Sequence, residues 1–505
     1  MCCLVLFENL SGMRINYHKS ELIPINLEPL DIHRISHIFC CPVGDFPIKY
    51  LGVPLHFDKL RREDIQPLVD KIIKKIASWK GKLLSHAARL TLIKTCLASI
   101  PVYLLSFIKF PKWAIKALNT HLANYLWNDS EGNHKYHLAN WESISMPKDF
   151  GGLGVPNIRD LNLCLLGSWV QKYNQGGGKL WKKLLDSKYN TTNPNIFCTK
   201  DRGSSQFFRG FIWAAKAAKF GFRWKVGDEK KIKFWEDNWL GHSSLAIKFW
   251  NLYVIVNEKT STIADLWDGT NLKCTFNRTV GESLYRDWLE VTQIASTIIF
   301  SCEEDSLIWQ FSSTGIYSSQ TLYKTISFRG VVPVYIPKIW DLKIPPRVHF
   351  FLWLLSQNKI LTRDNLAKRQ KVEVDSCLFC DEKETTQHLF FDCVVAKQMW
   401  IVISQATNVH INSYDSVGAK WLSDRKFAAV NIISSSAPWG LWKLRNELCF
   451  QNVGLRNMNL LIWRIVKLAQ NWSILCPPTK GTELRTYISN LKDILRRPVM
   501  LTDAA

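Results

Sequence analysis

The densest set of chemistry-bearing residues in this sequence is Cys377-x2-Cys380-x7-His388-x4-Cys393. A two-residue gap lets both thiolates of one tight turn face a single ion. The gap of four between His388 and Cys393 lets a short helix or turn deliver the second pair. Three thiolates and one imidazole close a tetrahedron, the usual arrangement of structural zinc, and leave no position for a catalytic water. Leu389, Phe390 and Phe391 lie between the last two ligands and supply a small apolar core, so zinc binding would contribute directly to folding. Structural Zn2+ is the first cofactor expected. Most other cysteines are solitary, as at Cys96, Cys164, Cys198, Cys274 and Cys302, and read as small buried apolar residues in a reducing intracellular compartment, nuclear or cytoplasmic.

Other chemistry is sparse. Gly151-Gly152-Leu153-Gly154 lacks the Lys-Ser/Thr of a phosphate loop and reads as a turn between helices. His86 and His121 are lone histidines on helical stretches, read as surface or core residues rather than ligands. The charge balance says more. The 505 residues carry 65 Lys+Arg against 43 Asp+Glu, a surplus of +22 that attracts polyanions, because basic side chains neutralise phosphates and release counterions. Nucleic acid is the first partner class expected. The longest apolar run, Val348 to Leu355 with His349 inside it, is far short of the roughly 20 residues a bilayer needs, so no membrane partner is expected.

These residues must be held by elements that the sequence punctuates clearly. From Asn16 to about Leu55 the chain reads as strand-like and turn-rich, with five prolines arguing against long helices. Ile65, Leu68, Val69, Ile72, Ile76 and Trp79 then recur at helical spacing, with Lys71, Lys74 and Lys75 off that face. A second helix is expected after Ser85, a third from Pro111 and a fourth after Asn157. Gly176-Gly177-Gly178 reads as a linker. Residues 179–330 read as aromatic-rich strands and hairpins with short helices, among them Phe222–Val226 and Lys231–Trp235. A compact unit follows to about Trp421, and a helical tail runs from Trp439.

The order Ile344-Pro-Pro-Arg-Val-His-Phe-Phe-Leu-Trp-Leu, Ile360-Leu-Thr-Arg-Asp-Asn-Leu-Ala-Lys-Arg, the two-thiol turn and His388-Leu-Phe-Phe-Asp-Cys resembles the zinc-binding domain of plant non-long-terminal-repeat (LINE-type) retrotransposon reverse transcriptases. The phrases around Trp224–Gly241, Asp305–Tyr323 and Trp439–Asn446 are similar to neighbouring segments of that family, as is Glu384 four residues before His388. The resemblance implies an α+β, multi-domain chain. Its parts would be a palm remnant with a primer-grip-like segment over 1–58, a helical thumb-like domain over 59–175 and a mixed, Trp-rich connecting region over 179–330. The zinc-binding domain would cover 335–425 and a helical tail 437–505.

The resemblance also implies roles for particular residues. Lys19 matches the lysine proposed to protonate the pyrophosphate leaving group. Tyr50-Leu51-Gly52 resembles the primer grip, and Lys71, Lys74, Lys75, Lys80 and Lys82 would contact the template–primer backbone. Nucleotidyl transfer needs carboxylate-bound metal ions. The sequence holds no adjacent Asp pair, and its opening residues match the family after the catalytic aspartates. The expectation is therefore a truncated reverse transcriptase fragment without polymerase activity of its own, binding zinc and RNA or an RNA–DNA hybrid. The alternatives are a stand-alone zinc-binding protein–protein interaction module and a non-functional remnant of a decayed element. A further reading is an active polymerase assembled with a separate polymerase chain that carries the missing palm. Chelation of zinc is expected to melt 335–425 and to spare the helices of 60–174.

Overall fold

The computed structural model describes residues 2–56, 60–79, 84–128, 136–175, 178–189, 196–199, 203–228, 230–241, 243–298, 301, 303–371, 374–451 and 457–496. Among these the chain is mostly helical, with two small antiparallel sheets of two strands each. One sheet is a hairpin of β1 (Ile48–Tyr50) and β2 (Val53–Leu55). The other pairs β3 (Phe222–Lys225) with β4 (Ser306–Trp309) in the register Phe222 to Trp309. The chain divides into two compact units, each assembled from three separate stretches: 1–72, 101–114 and 162–319 in one, and 73–100, 115–161 and 320–505 in the other.

The four expected helices form for the expected local reasons. Arg62–Ser78 buries Ile65, Val69 and Ile72. His86–Leu92 starts where the Ser85 hydroxyl accepts from the Ala88 N–H. Lys112–Trp127 follows Pro111. Ile158–Gln175 starts where the Asn157 side chain accepts from the N–H groups of Arg159 and Asp160, satisfying donors that a helix start otherwise strands.

Four readings are corrected. Pro29–Phe39 is a helix, not strand-like chain, because Pro29 occupies the first helical position, where a missing N–H costs nothing. Lys231–Trp235 is not a strand. Lys233 makes one isolated bridge to Thr262, and both Phe234 and Trp235 are buried, so side chains do not alternate between two faces. The Trp-rich region also carries longer helices than expected, Gln206–Ala218 and Glu282–Ser296. The tail begins with Asp424–Gln451, which runs through Pro438. Its residues Ala428–Pro438 are all buried, and packing of that stretch outweighs the proline's helix-breaking tendency. Gly176 and Gly177 of the expected linker lie outside the described residues.

In the first unit, aromatic packing across the β3–β4 sheet forms the core. Trp309 meets Phe222 and Tyr317 edge-on, each at 4.8 Å between centroids. Burial pushes the Tyr317 phenol far up, and it donates to the Cys164 carbonyl at 2.6 Å. Asn162 is buried on the helix Ile158–Gln175. It accepts from the Phe110 N–H at 2.9 Å and donates to the carbonyls of Leu105 and Ile108 at 2.6 and 2.8 Å. Replacing Asn162 with alanine orphans those groups, and each buried orphan costs about 1–3 kcal/mol. Asn162→Ala is expected to lower stability by about 3 kcal/mol in urea unfolding; a loss within experimental error would show that water reaches these groups.

In the second unit the buried helix Pro346–Ser356 is central. Trp353 donates its indole N–H to the Gly151 carbonyl at 2.8 Å, and Phe350 stacks on His86 at 5.6 Å. Gly152 packs so tightly that an added Cβ would lie 2.1 Å from the Met146 carbonyl oxygen. The tail helices Asp424–Gln451, Met458–Trp472 and Gly481–Arg496 pack with Val394–Thr407, where Asn490 donates to the Ala406 carbonyl at 2.9 Å.

Candidate metal centre

The four candidate ligands are delivered by two small devices. A reversal of the chain, closed by the Ser376–Lys383 bridge and by the Cys377 N–H on the Glu382 carbonyl at 2.6 Å, presents Cys377 and Cys380 from one turn. A π-helical turn, His388–Asp392, presents His388. Cys393 follows at the first residue before the helix Val394–Thr407 and donates its N–H to the His388 carbonyl at 2.7 Å. The extra residue in the π-turn lets His388 and Cys393 face the same point while Leu389, Phe390 and Phe391 turn into the core.

The ligand atoms all lie within 4.8 Å of one another. The Cys393 sulfur is 3.9 Å from that of Cys377 and 4.0 Å from that of Cys380, and the Cys380 sulfur is 3.1 Å from His388 Nε2. A tetrahedron with zinc–sulfur bonds of about 2.3 Å has sulfur–sulfur edges of about 3.8 Å. The sulfur spacing therefore fits zinc. The Cys377 sulfhydryl pulls the Cys393 thiol down, aided by the Val395 and Ala396 N–H groups at the helix start and opposed by burial. The same contact, with burial, pushes Cys377 up. Sulfurs brought this close to one another form a donor set that a cation would bridge. With every position of the tetrahedron taken by protein, the centre is structural, and zinc there would cross-link the turn to the helix.

The surroundings hold the ligands in place. Trp400 donates to the Phe390 carbonyl at 2.7 Å and stacks on Phe391. Glu384, in the loop between Cys380 and His388, is fully buried. It accepts from Arg445 at 2.7 and 3.2 Å and from the Arg363 N–H at 2.9 Å. Arg445, also buried, lies on the helix Asp424–Gln451, 61 residues from Glu384 in sequence. Sequence reasoning noted Glu384 and had Arg445 only within the phrase Trp439–Asn446, without pairing the two, because a partner 61 residues away leaves no local signal.

The other expected site residues are dispersed. Lys19 is exposed on the short turn Tyr17–Lys19, which Asn16 caps. Tyr50, Leu51 and Gly52 form the tip of the β1–β2 hairpin, where Leu51 and Gly52 have φ of 49° and 84°. Both must be positive in the tightest hairpin turn, and leucine pays about 1–2 kcal/mol to be there. Leu51 is nonetheless 73% exposed. Beneath the tip lies a cleft of about 450 Å³ lined by Tyr50, Leu51, Tyr103, Phe107 and Phe207 among others. Lys71, Lys74 and Lys75 are exposed along one side of the helix Arg62–Ser78, opposite its buried face. Lys80 and Lys82 lie outside the described residues.

Comparison with known proteins defines the class of this centre. Residues 317–400 match the family described as zinc-binding in reverse transcriptase, a stretch that contains all four ligands. The chain thus carries a reverse-transcriptase zinc-binding module, positioned for a structural zinc ion. The sequence is also 25% identical over 439 residues to the Arabidopsis thaliana protein named "Putative ribonuclease H protein At1g65750", an alignment spanning 84% of this chain and 69% of that one. A module of the expected kind, at the expected place, and a similar plant protein bear out the resemblance read from the residues. Among the described residues no helix is long and apolar enough to cross a membrane.

Proposed function

We propose that this chain binds the phosphate backbone of RNA or an RNA–DNA hybrid, that zinc stabilises it, and that it does not polymerise on its own. The observation that carries the reading is the row Lys71, Lys74 and Lys75. They share one exposed helix side at spacings of three and four residues, and among the described residues none has an ion-pair partner. Cations left unneutralised on a chain of net charge +22 favour a polyanion. The exposed Leu51 in a strained turn, next to exposed Tyr50, supports a primer-end contact at the hairpin tip, since such strain persists where it serves a site. On this reading Lys19 acts only beside a polymerase chain that brings the metal-binding aspartates. The free cysteines agree with a reducing compartment, nuclear or cytoplasmic.

The test is binding of the zinc-loaded chain to a labelled RNA–DNA hybrid across a salt series. The triple replacement of Lys71, Lys74 and Lys75 by alanine is expected to weaken binding of all sequences alike and to reduce the salt slope by about 1 per lysine. An unchanged slope would end the backbone-reading proposal for this helix. Primer extension on an RNA template is expected from the chain only when a polymerase partner is added.

A further inference from the structure

We propose that Lys94, Lys148 and Trp340 form an oxyanion site that takes a phosphate group, separate from the lysine row of the helix Arg62–Ser78. All three belong to the second unit. Lys94 lies in a π-helical turn, Ile93–Leu97, and Lys148 begins the loop that carries Gly151-Gly152-Leu153-Gly154. The two side chains converge over Gly154. A Cβ there would sit 3.6 Å from the Lys94 ammonium and 3.4 Å from Lys148 Cγ. Gly154, at φ 70°, holds the loop open by hydrogen-bonding its N–H back to the Met146 carbonyl at 2.8 Å. The Lys148 ammonium lies 4.8 Å from the centre of the Trp340 ring, whose own N–H is buried without an acceptor.

The cluster consists of donors. Among the described residues neither lysine has an acidic partner, and the carboxylates beside them in sequence are engaged elsewhere: Asp149 with Lys324 at 3.3 Å and Asp341 with Lys338 at 3.4 Å. His349, tilted against Trp340, has its ring nitrogen on the Leu342 carbonyl at 3.0 Å and offers no countercharge. Burial, then the neighbouring charge of Lys148, lowers Lys94 to about 8. A half-buried ammonium beside a like charge lacks one thing, an acceptor with negative charge. A tetrahedral oxyanion supplies several such acceptors at once and restores the favourable charged form of Lys94. A phosphodiester in a bound strand and free phosphate share that chemistry.

The experiment is amine acetylation of the full zinc-loaded chain, read lysine by lysine by mass spectrometry. It is run with inorganic phosphate, with an RNA–DNA hybrid, or with chloride at matched ionic strength. Phosphate at ten times its dissociation constant is expected to reduce labelling of Lys94 about tenfold while leaving Lys71, Lys74 and Lys75 unchanged. Lys148→Met, an exposed change that leaves the core intact, should raise that dissociation constant about tenfold and so leave only about twofold protection at the same phosphate concentration. Protection by the hybrid but not by phosphate would assign the site to a nucleic-acid strand. Protection of Lys94 that persists in the triple alanine variant would separate this site from the lysine row. Equal labelling under all three conditions, or equal protection by chloride, would overturn the proposal.

Discussion

Stripping zinc from the chain is expected to unfold the ligand turns and loosen the helices that share their core. In small zinc-folded peptides the metal contributes about 10–16 kcal/mol, comparable to the whole stability of a domain, about 5–15 kcal/mol. The effect should spread beyond the expected span of 335–425. The helix Pro346–Ser356 packs on Phe390 of the ligand turn through Phe351, and on His86 and Gly151 through Phe350 and Trp353. Hydrogen exchange after chelation should therefore show lost protection in Val394–Thr407 and reduced protection in His86–Leu92. Gln206–Ala218, in the other unit, should keep its protection. Cys393→Ser should reproduce the pattern. Undiminished protection of Val394–Thr407 in metal-free protein would remove zinc from the account of folding.

Breaking the Glu384–Arg445 pair should also be damaging, though less so than loss of the metal. Removal of one partner of a buried ion pair leaves an uncompensated charge and costs about 3–5 kcal/mol. Arg445→Met would leave the Glu384 carboxylate, among the described residues, with the Arg363 N–H alone, inside the loop that separates Cys380 from His388. We expect a loss of about 4 kcal/mol in urea unfolding with zinc in excess, and faster surrender of zinc to a competing chelator. The double replacement Glu384→Met with Arg445→Met should recover most of the stability, because well-packed apolar residues replace such pairs at little cost. A single-variant loss under about 1 kcal/mol would mean that water screens the pair.

Local signals were legible in the sequence. Ser85, Pro111 and Asn157 mark helix starts because capping is a contact within one turn, and the four ligands announce themselves because metal geometry fixes their spacing. Long-range packing left no such trace. Pro438 looks like a boundary until the burial of the stretch before it is known. Lys231–Trp235 has the composition of a strand, but the Asp237 carboxylate accepts from the Lys233 N–H at 3.0 Å and the Trp239 indole donates to Phe234 at 2.8 Å, so side chains satisfy that backbone. Arg445 could not be matched to Glu384 because nothing in either neighbourhood encodes a partner on a distant helix. The joining of 73–100 and 115–161 with everything after Gln320 is equally invisible to periodicity, which records that a helix has an apolar face but not what covers it.

That interleaving has a consequence for synthesis. A ribosome completes the first unit at Ser319, by which time the helices His86–Leu92 and Lys112–Trp127 have long emerged. Their buried residues Leu90, Leu118, Leu122 and Leu126 belong to the unit whose remaining stretch, from Gln320 onward, is still untranslated. At about 5–20 residues per second, that wait lasts on the order of ten to forty seconds. Nascent chains of this protein should therefore be long-lived clients of ribosome-associated chaperones, released only when the last helices arrive.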